Sequence, residues 1–169
     1  MPTYSAKLIV LRGNSGSGKS TVAKRLRKGT SGSSLAVVEQ DYIRRHVLKE
    51  NLEAKTNNNV ELIRLVAEFA LSRDYDVVLE GILSMHRYGA MLRELKEKCP
   101  NNSFYYFDVS FDETLKRHMT KPNAHEFGEK EMREWYKPRD LTHFETEKVI
   151  PESYSLEQAV QFICSESKL

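Results

Sequence analysis

The chain has 169 residues, and its 26 basic side chains nearly cancel its 24 acidic ones, leaving a formal net charge of +2. This length fits one domain, residues 1–169. The near balance of charge argues against a protein that binds nucleic acids or membranes in general. Cys99 and Cys164 lie far apart with no C-x-x-C pair, which favours buried free thiols over a disulfide framework or a zinc site. The N-terminal apolar run is too short for a signal peptide, and no stretch has the roughly 20 apolar residues of a membrane span. We therefore expect a soluble, cytoplasmic protein.

The first apolar run is followed by a glycine-rich loop and then by a helical pattern. Residues 8–11 read LIVL, residues 13–20 read GNSGSGKS, and apolar residues then recur at helical spacing. This order fits the G-x-x-x-x-G-K-[ST] pattern, in which glycines let successive backbone N–H groups turn toward phosphate oxygens at the start of a helix. The alternative is a glycine/serine turn that matches by chance. The residues predicted to bind the nucleotide are Gly13, Asn14, Ser15, Gly16, Ser17, Gly18, Lys19, Ser20 and Thr21.

Two residues of this loop have specific tasks in the pattern. Lys19 is expected to reach the β- and γ-phosphates of ATP. The hydroxyl of Ser20 is expected to be a ligand of Mg²⁺.

Short apolar runs alternate with amphipathic helical patterns along the rest of the chain. Predicted strands cover residues 8–11, 35–39, 76–81, 104–109 and 148–150, and predicted helices lie at 42–50, around 62–70, at 85–98, 112–119 and 129–137, and after an N-cap at Ser155. Such alternation predicts an α/β fold with a parallel sheet covered by helices on both faces. In these sheets ligands bind beyond the carboxyl ends of the strands, where Asp41, Glu80 and Asp108 are found.

Asp41 directly follows the second predicted strand. A carboxylate at this position can accept the proton of a substrate hydroxyl, or orient that hydroxyl for attack on the γ-phosphate. The alternative is an N-cap for the helix that follows. Arg44 and Arg45 come next, and one of them can clamp an anionic substrate or a phosphate; the alternative is a solvated basic face.

Glu80 ends the third predicted strand. An acid at this position commonly binds Mg²⁺ through a bridging water molecule. The alternative is that the longer side chain of glutamate forms a hydrogen bond with a substrate. Asp108, at the end of the fourth strand, is interpreted as structural.

Basic residues gather between the fourth and fifth predicted strands: Arg117, Lys121, Arg133, Lys137 and Arg139. A mobile segment can bring such cations to a transferring phosphoryl group as water is excluded. Four glutamates in the same region leave an ordinary mixed-charge surface as the alternative. Trp135 is interpreted as a packing residue, with stacking on a base as the alternative. The five histidines have no H-x-x-x-H or H-E-x-x-H spacing, so no metal cluster or catalytic triad is predicted.

With this loop, Asp41, Glu80 and the basic segment, the chain resembles the P-loop small-molecule kinases. That group includes chloramphenicol phosphotransferase-like, zeta-toxin-like, gluconate/shikimate-type and nucleotide kinases. The resemblance implies a three-layer α/β/α P-loop NTPase fold with a five-stranded parallel sheet of order 2-3-1-4-5 and a helical lid at about residues 120–142. It also implies that Asp41 is the base or substrate anchor and that Arg117 packs against adenine. Lys121 stands where a second cation commonly opens the lid, although lysine lacks the planar bidentate contact of arginine.

Our hypothesis is ATP-dependent transfer of the γ-phosphate to a hydroxyl of a small-molecule acceptor. The predicted catalytic residues are Lys19, Asp41, Arg117 and Arg133; the predicted acceptor-binding residues are Asp41, Arg44 and Glu80; and the predicted Mg²⁺ ligands are Ser20 and Glu80. One alternative is a nucleoside or nucleotide kinase. Another is a nucleotide-binding ATPase or switch that acts through a partner, although the third strand lacks the Asp-Glu ending of AAA-type ATPases. A polynucleotide kinase would need a strongly basic groove, which the net charge of +2 does not favour, so nucleic acid is an unlikely partner.

Overall fold

A sheet of five parallel strands lies at the centre of the computed structural model, which describes residues 3–30, 34–51, 56–120 and 124–169. The strands are β1 (Leu8–Gly13), β2 (Leu35–Glu39), β3 (Asp76–Gly81), β4 (Asn102–Asp108) and β5 (Glu147–Pro151). They lie in the order β2-β3-β1-β4-β5, and every neighbouring pair is parallel. The predicted order is therefore confirmed. β1 is central, and all of its residues are buried.

Helices cover both faces of the sheet. They are α1 (Lys19–Gly29), α2 (Gln40–Tyr42), α3 (Asn58–Ser72), α4 (Met85–Lys98), α5 (Phe111–Met119), α6 (Glu129–Trp135) and α7 (Leu156–Ser167). Leu8 and Val10 of β1 pack with residues of α3 and α4. Ile9 and Leu11 point the other way and pack with residues of α1 and α7. The three-layer α/β/α architecture of the P-loop NTPase fold is thus confirmed. Among the residues that the structure describes, no helix has the length and apolar character of a membrane span.

The segment after β2 differs from the single helix predicted over residues 42–50. The three residues of α2 lead into a π-helix, Ile43–Val47. The N–H of Leu48 donates to the carbonyl oxygen of Ile43 (3.0 Å), which is the i→i−5 bond of this wider turn. The adjacent residues Ile43 and Arg44 are both buried here, so a charged side chain faces the inner side of the segment.

Two helix ends illustrate how local signals act. The helix predicted over residues 129–137 ends at Trp135, and Tyr136 is already extended (φ −67°, ψ 125°). Pro138 disfavours a helical conformation at Lys137, so the helix cannot resume there. The predicted N-cap Ser155 is confirmed: its Oγ accepts a hydrogen bond from the N–H of Gln158 (3.2 Å).

Arg12 is a fully buried charge near the end of β1. Its Nη1 donates to the carboxylate of Glu147 (2.9 Å) and its Nη2 to that of Asp140 (3.2 Å). Nε and Nη2 also donate to the main-chain oxygen of Leu83, at 3.1 and 3.0 Å. Asp140 in turn accepts a hydrogen bond from the N–H of Met85 (2.9 Å). One guanidinium therefore joins β1, the start of α4, the start of β5 and the segment that precedes β5.

We predict that Arg12→Met lowers the free energy of unfolding by about 3–5 kcal/mol, because it leaves a buried carboxylate without its partner. Glu147, whose side chain is 4% exposed, is that carboxylate. Denaturant unfolding followed by circular dichroism measures the loss. The matched control is Arg139→Met, because the Arg139 side chain is 61% exposed and pairs with Asp108 (2.8 Å); the loss expected there is below about 1 kcal/mol. Equal losses in the two variants would contradict a stabilising role for the Arg12 network.

Candidate active site beside the phosphate loop

The loop between β1 and α1 has a backbone that its glycines permit. Gly16 and Gly18 have positive φ angles of 81° and 103°, and Gly18 is the N-cap of α1. A Cβ on Gly16 would lie 2.5 Å from the main-chain oxygen of Thr114 in α5, which is too close for any side chain. Glycine at position 16 is therefore required both by its backbone conformation and by the close approach of α5. The loop ends at the N-terminus of α1, where free N–H groups and the helix dipole favour an anion.

Lys19 is the first residue of α1, and its ammonium lies over the loop. Nζ donates to the main-chain oxygen of Asn14 (2.8 Å) and to Oγ of Ser17 (3.1 Å). The residue is 6% exposed. The side chain thus turns back toward the loop, where phosphate oxygens could replace these two neutral acceptors.

Ser20 and Glu80, the two predicted metal ligands, are in direct contact. Oγ of Ser20 donates to Oε1 of Glu80 at 3.0 Å. Hydroxyl and carboxylate oxygens suit Mg²⁺, which usually keeps several waters and takes few ligands from the protein besides substrate phosphates. Within the described ranges, no group of three or more His, Cys, Asp or Glu side chains could hold a metal. The pair therefore fits a Mg²⁺ ion held mainly by phosphate and water.

The pKa of Glu80 is raised from its ordinary value of 4.5, chiefly because burial disfavours the charged carboxylate. The Lys19 ammonium and the hydrogen bond from Ser20 lower this pKa, whereas the carboxylates of Glu39 and Asp41 raise it further. A cation bound beside Glu80 would favour its charged form. Binding of a metal ion there would therefore be coupled to the protonation of one buried acid.

Two cavities flank the loop. The α1 cavity, of about 380 Å³, is bordered by Gly18, Thr21, Arg117 and Tyr154 among others. The α2 cavity, of about 320 Å³, is bordered by residues of the loop, of α2 and the π-helix, of the start of α4 and of the segment before β5. Both volumes are near the lower end of the roughly 300–1,000 Å³ found for small-molecule sites.

Arg117 connects the loop to the far side of the α1 cavity. Its Nη1 donates to the main-chain oxygen of Ser17 (3.2 Å) and its Nη2 to that of Glu152 (3.1 Å). The carboxylate of Glu113, one helical turn earlier in α5, accepts from its Nε (2.7 Å). The guanidinium that was predicted to pack against a base therefore lies at the edge of a cavity beside the phosphate loop.

Asp41 and Arg44 meet in the α2 cavity, which Ser15 of the loop also lines. They form an ion pair of 3.2 Å, in which the Asp41 side chain is 60% exposed and that of Arg44 is 9% exposed. Asp41 lies inside α2, whose N-cap position is Glu39. The alternative of Asp41 as a helix cap is therefore wrong, because the chain turns into the helix two residues earlier.

The predicted cations between β4 and β5 occupy different places. Arg133 donates to the Glu129 carboxylate (2.7 Å), and its guanidinium lies 4.2 Å from the centre of the Phe111 ring. It lines neither cavity. Lys121 lies outside the described residues. Lys137 does line the α2 cavity.

The side chain of Asn14 attaches the loop to the segment before β5. Its Nδ2 donates to the main-chain oxygen of Lys137 (2.8 Å), and its Oδ1 accepts from the N–H of the same residue (2.8 Å). The hydroxyl of Tyr106 in β4 also donates to the main-chain oxygen of Lys137 (3.2 Å). The Asn14 amide thus pairs with both main-chain groups of Lys137, as a neighbouring strand would.

Three residues that line the α2 cavity, Gln40, Arg87 and Trp135, are not among the predicted acceptor-binding residues. Gln40 Oε1 accepts from the N–H groups of Ile82 (3.0 Å) and Leu83 (3.4 Å), which links the ends of β2 and β3. Arg87, in the first turns of α4, and Trp135 also line the cavity. The rule that residues after parallel strands meet at one edge would have found Gln40 and Arg87. Trp135 follows no strand, and no local signal predicts its place.

Solved structures share this fold at low sequence identity. The Mycobacterium tuberculosis APS kinase CysC in complex with AMPPNP and APS has a TM-score of 0.75 at 16% identity, covering 99% of this chain and 100% of that one. A gluconokinase from Sinorhizobium meliloti 1021 has a TM-score of 0.63 at 17% identity, covering 98% and 93%. A chain of the Pnkp1/Rnl/Hen1 RNA repair complex has a TM-score of 0.59 at 20% identity, covering 99% of this chain and 47% of that one. No curated protein matches the chain.

A family model described as an AAA domain matches residues 8–140. The matched range begins with β1 and contains the phosphate loop, Asp41, Glu80 and Arg117. The likeness to kinase structures confirms, for the fold, the predicted resemblance to P-loop small-molecule kinases. Because the family model covers well over half of its length, the chain belongs to this AAA domain family.

Proposed function

We propose that this protein transfers the γ-phosphate of ATP to a hydroxyl group of a small-molecule acceptor. The observation that carries the proposal is the position of the phosphate loop between two cavities, one bordered by Arg117 and the other by Asp41. A kinase must hold donor and acceptor on opposite sides of the transferring phosphoryl group, so that attacking and leaving oxygens are in line. Fold likeness to an APS kinase and a gluconokinase supports the same reaction class.

In this proposal the base of ATP lies in the α1 cavity and its triphosphate lies along the loop. The Lys19 ammonium and the loop N–H groups bind the β- and γ-phosphates, and Arg117 borders both the base and the loop. Ser20 and Glu80 hold Mg²⁺, which when bound supplies positive charge to the phosphate oxygens. The Ser20–Glu80 hydrogen bond supports a metal role for Glu80 over a substrate role.

Asp41 is the proposed group that accepts the proton of the acceptor hydroxyl. Its carboxylate is exposed to the α2 cavity, where an acceptor would lie. The ion pair with Arg44 restricts the orientation of this carboxylate. A base that is held in place reduces the entropy that must be lost before proton transfer.

Residues 120–142 are the proposed lid. The main chain of Lys137 is attached to Asn14 at one end of this segment. Across the α2 cavity, Arg45 of the π-helix pairs with Glu126 of the segment (2.9 Å). Together these contacts would enclose an acceptor and exclude water from it. Arg133, exposed on α6, is proposed to approach the phosphates only on further closure.

An ATPase that acts through a partner is the alternative that the AAA domain description favours. It predicts slow hydrolysis without stimulation by an acceptor. The α2 cavity beside the loop provides space that such an ATPase does not need, and β3 ends in Glu80 and Gly81 rather than in an Asp-Glu pair. These two features favour the kinase.

We predict that Lys19→Ala lowers the affinity for AMPPNP by at least about tenfold, because it removes charge-assisted hydrogen bonds to phosphate. Isothermal titration calorimetry in the presence of Mg²⁺ measures the change. Lys24→Ala is the control, because Lys24 lies on the exposed face of the same helix. Unchanged nucleotide affinity and turnover in Lys19→Ala would contradict the assignment of the loop.

We predict that Asp41→Asn lowers acceptor-dependent turnover by about 10²–10⁴-fold while AMPPNP still binds with wild-type affinity, since an amide cannot take the proton. A phosphate-acceptor screen followed by kinetics on the best acceptor measures the loss. Glu94→Gln, an exposed carboxylate on α4, is the control. Transfer at the wild-type rate in Asp41→Asn would show that another group is the base.

We predict that the affinity for Mg·ATP falls as the pH is lowered, beginning above pH 4.5 because the pKa of Glu80 is raised. For the unliganded protein we expect the opposite direction: the free energy of unfolding should increase as the pH is lowered. A buried acid with a raised pKa binds its proton more tightly when folded, so its contribution to stability is lost as the pH rises through that window. Glu80→Gln, which resembles the neutral acid, should remove both dependences. A wild-type pH profile for Mg·ATP binding in Glu80→Gln would exclude Glu80 as the titrating group.

A further inference from the structure

The α2 cavity has an excess of positive charge. Its border includes the cationic side chains of Arg44, Arg45, Arg87 and Lys137, against the carboxylates of Asp41 and Glu134. Glu126 pairs with Arg45 (2.9 Å), so three carboxylates stand against four cations. A small cavity that holds like charges close together is costly unless an opposite charge enters it. The excess therefore points to an anionic ligand.

Arg44 is brought into this cavity by the π-helix. It is 8% exposed, and its Nη atoms donate to Asp41 (3.2 Å) and to the main-chain oxygen of Glu50 (3.3 Å). Its Nε is buried and has no hydrogen-bond partner. A buried N–H without an acceptor is destabilising and indicates a missing partner. π-turns such as this one occur frequently at functional sites.

Arg87, on another wall of the cavity, also has a buried Nε without a hydrogen-bond partner. Its Nη2 donates to the main-chain oxygen of Thr56 (2.9 Å). Among the described residues no carboxylate forms an ion pair with it. Two arginines from different elements, Arg44 and Arg87, thus border one cavity, each with an unsatisfied N–H. Turning the two guanidinium groups toward an oxyanion would satisfy both.

The other side of the cavity is aromatic. Phe127 and Trp135 line it, with their ring centres 5.1 Å apart. The Phe127 ring is stacked on His118 at 4.4 Å and lies 5.7 Å from the Arg45 guanidinium, so it is fixed by neighbours on two sides. The edge of this ring and the half-buried Trp135 side chain present apolar surface to the cavity, against which a planar group of a ligand packs well.

We propose that the acceptor carries an oxyanion bound by Arg44 and Arg87 and a planar ring packed against Phe127 and Trp135. This inference rests on the proposed function, because it names the chemical class of molecule whose hydroxyl Asp41 would activate. Phosphate, sulfate and carboxylate share the chemistry that the two arginines recognise. The cavity of about 320 Å³ admits one ring with one such group.

Trp135 is the only tryptophan of the chain, so its fluorescence reports directly on the α2 cavity. The protein is first saturated with AMPPNP and Mg²⁺ and then titrated with phenyl phosphate, benzyl alcohol or inorganic phosphate. Phenyl phosphate carries both features, and the other two probes carry one each. We expect phenyl phosphate to change the fluorescence of Trp135 and to bind at least about tenfold tighter than either fragment. Titrations with phenyl sulfate and benzoate then identify the preferred oxyanion.

A matched pair of variants on α4 assigns the oxyanion site. Arg87→Gln should weaken phenyl phosphate by roughly ten- to a hundredfold and leave benzyl alcohol unchanged. Arg93→Gln, an exposed arginine on the same helix, should bind both like the wild type. If Arg87→Gln does not fold, the comparison of the three probes on the wild-type protein still decides the question.

Three outcomes would overturn the inference: no fluorescence response to phenyl phosphate, no preference for it over benzyl alcohol, or an unchanged preference in Arg87→Gln. Each leaves the proposed function standing as long as AMPPNP binds. Failure to bind AMPPNP, by contrast, would reject the proposed function itself.

Discussion

The burial of Arg12 decides how the elements around the phosphate loop are arranged. A guanidinium removed from water needs acceptors for its N–H groups and a negative charge nearby, because an unpaired buried charge costs several kcal/mol, on the order of 3–5. The acceptors come from Leu83 before α4, from Asp140 and from Glu147 at the start of β5. Leu83 lies between Ile82 and Ser84, which line the α2 cavity, and β5 contributes Ile150 and Pro151 to the α1 cavity. Asp140, near the C-terminal end of the proposed lid, is therefore held to β1.

The phosphate loop contacts both cavities through its own atoms. The main-chain oxygen of Ser17 accepts from Arg117 on one side, and the side-chain amide of Asn14 pairs with Lys137 on the other. A shift of the loop would therefore displace residues that line both cavities, because close-packed elements transmit small displacements. Glu80 adds an electrostatic link: burial is the main cause that raises its pKa, the Lys19 ammonium lowers this pKa, and the Asp41 carboxylate raises it further.

Much of the fold could be predicted from the sequence, and the candidate phosphate loop lies between β1 and α1 as expected, because the relevant signals are local. The spacing of GNSGSGKS alone gives expected roles to its glycines, to Lys19 and to Ser20, and hydrophobic periodicity predicts β2, β3 and α4. Asp41 and Glu80 could be placed near the loop because the ends of parallel strands meet at one edge. The π-helix after β2 was not predicted, because an α-helical turn and a π-helical turn have the same hydrophobic pattern over five residues.

By itself, then, the sequence determined the parallel α/β sheet, the phosphate loop and the acids at the ends of β2 and β3. Only the tertiary structure decided that Arg12 is buried, since its partners lie 71 to 135 positions further along the chain. It likewise decided that Trp135 and Arg87 border one cavity with Asp41, and that Arg133 lies outside it. The physical reason is the same in each case: periodicity and motif spacing describe short stretches of backbone, whereas burial of a charge and the lining of a cavity depend on which distant elements pack together.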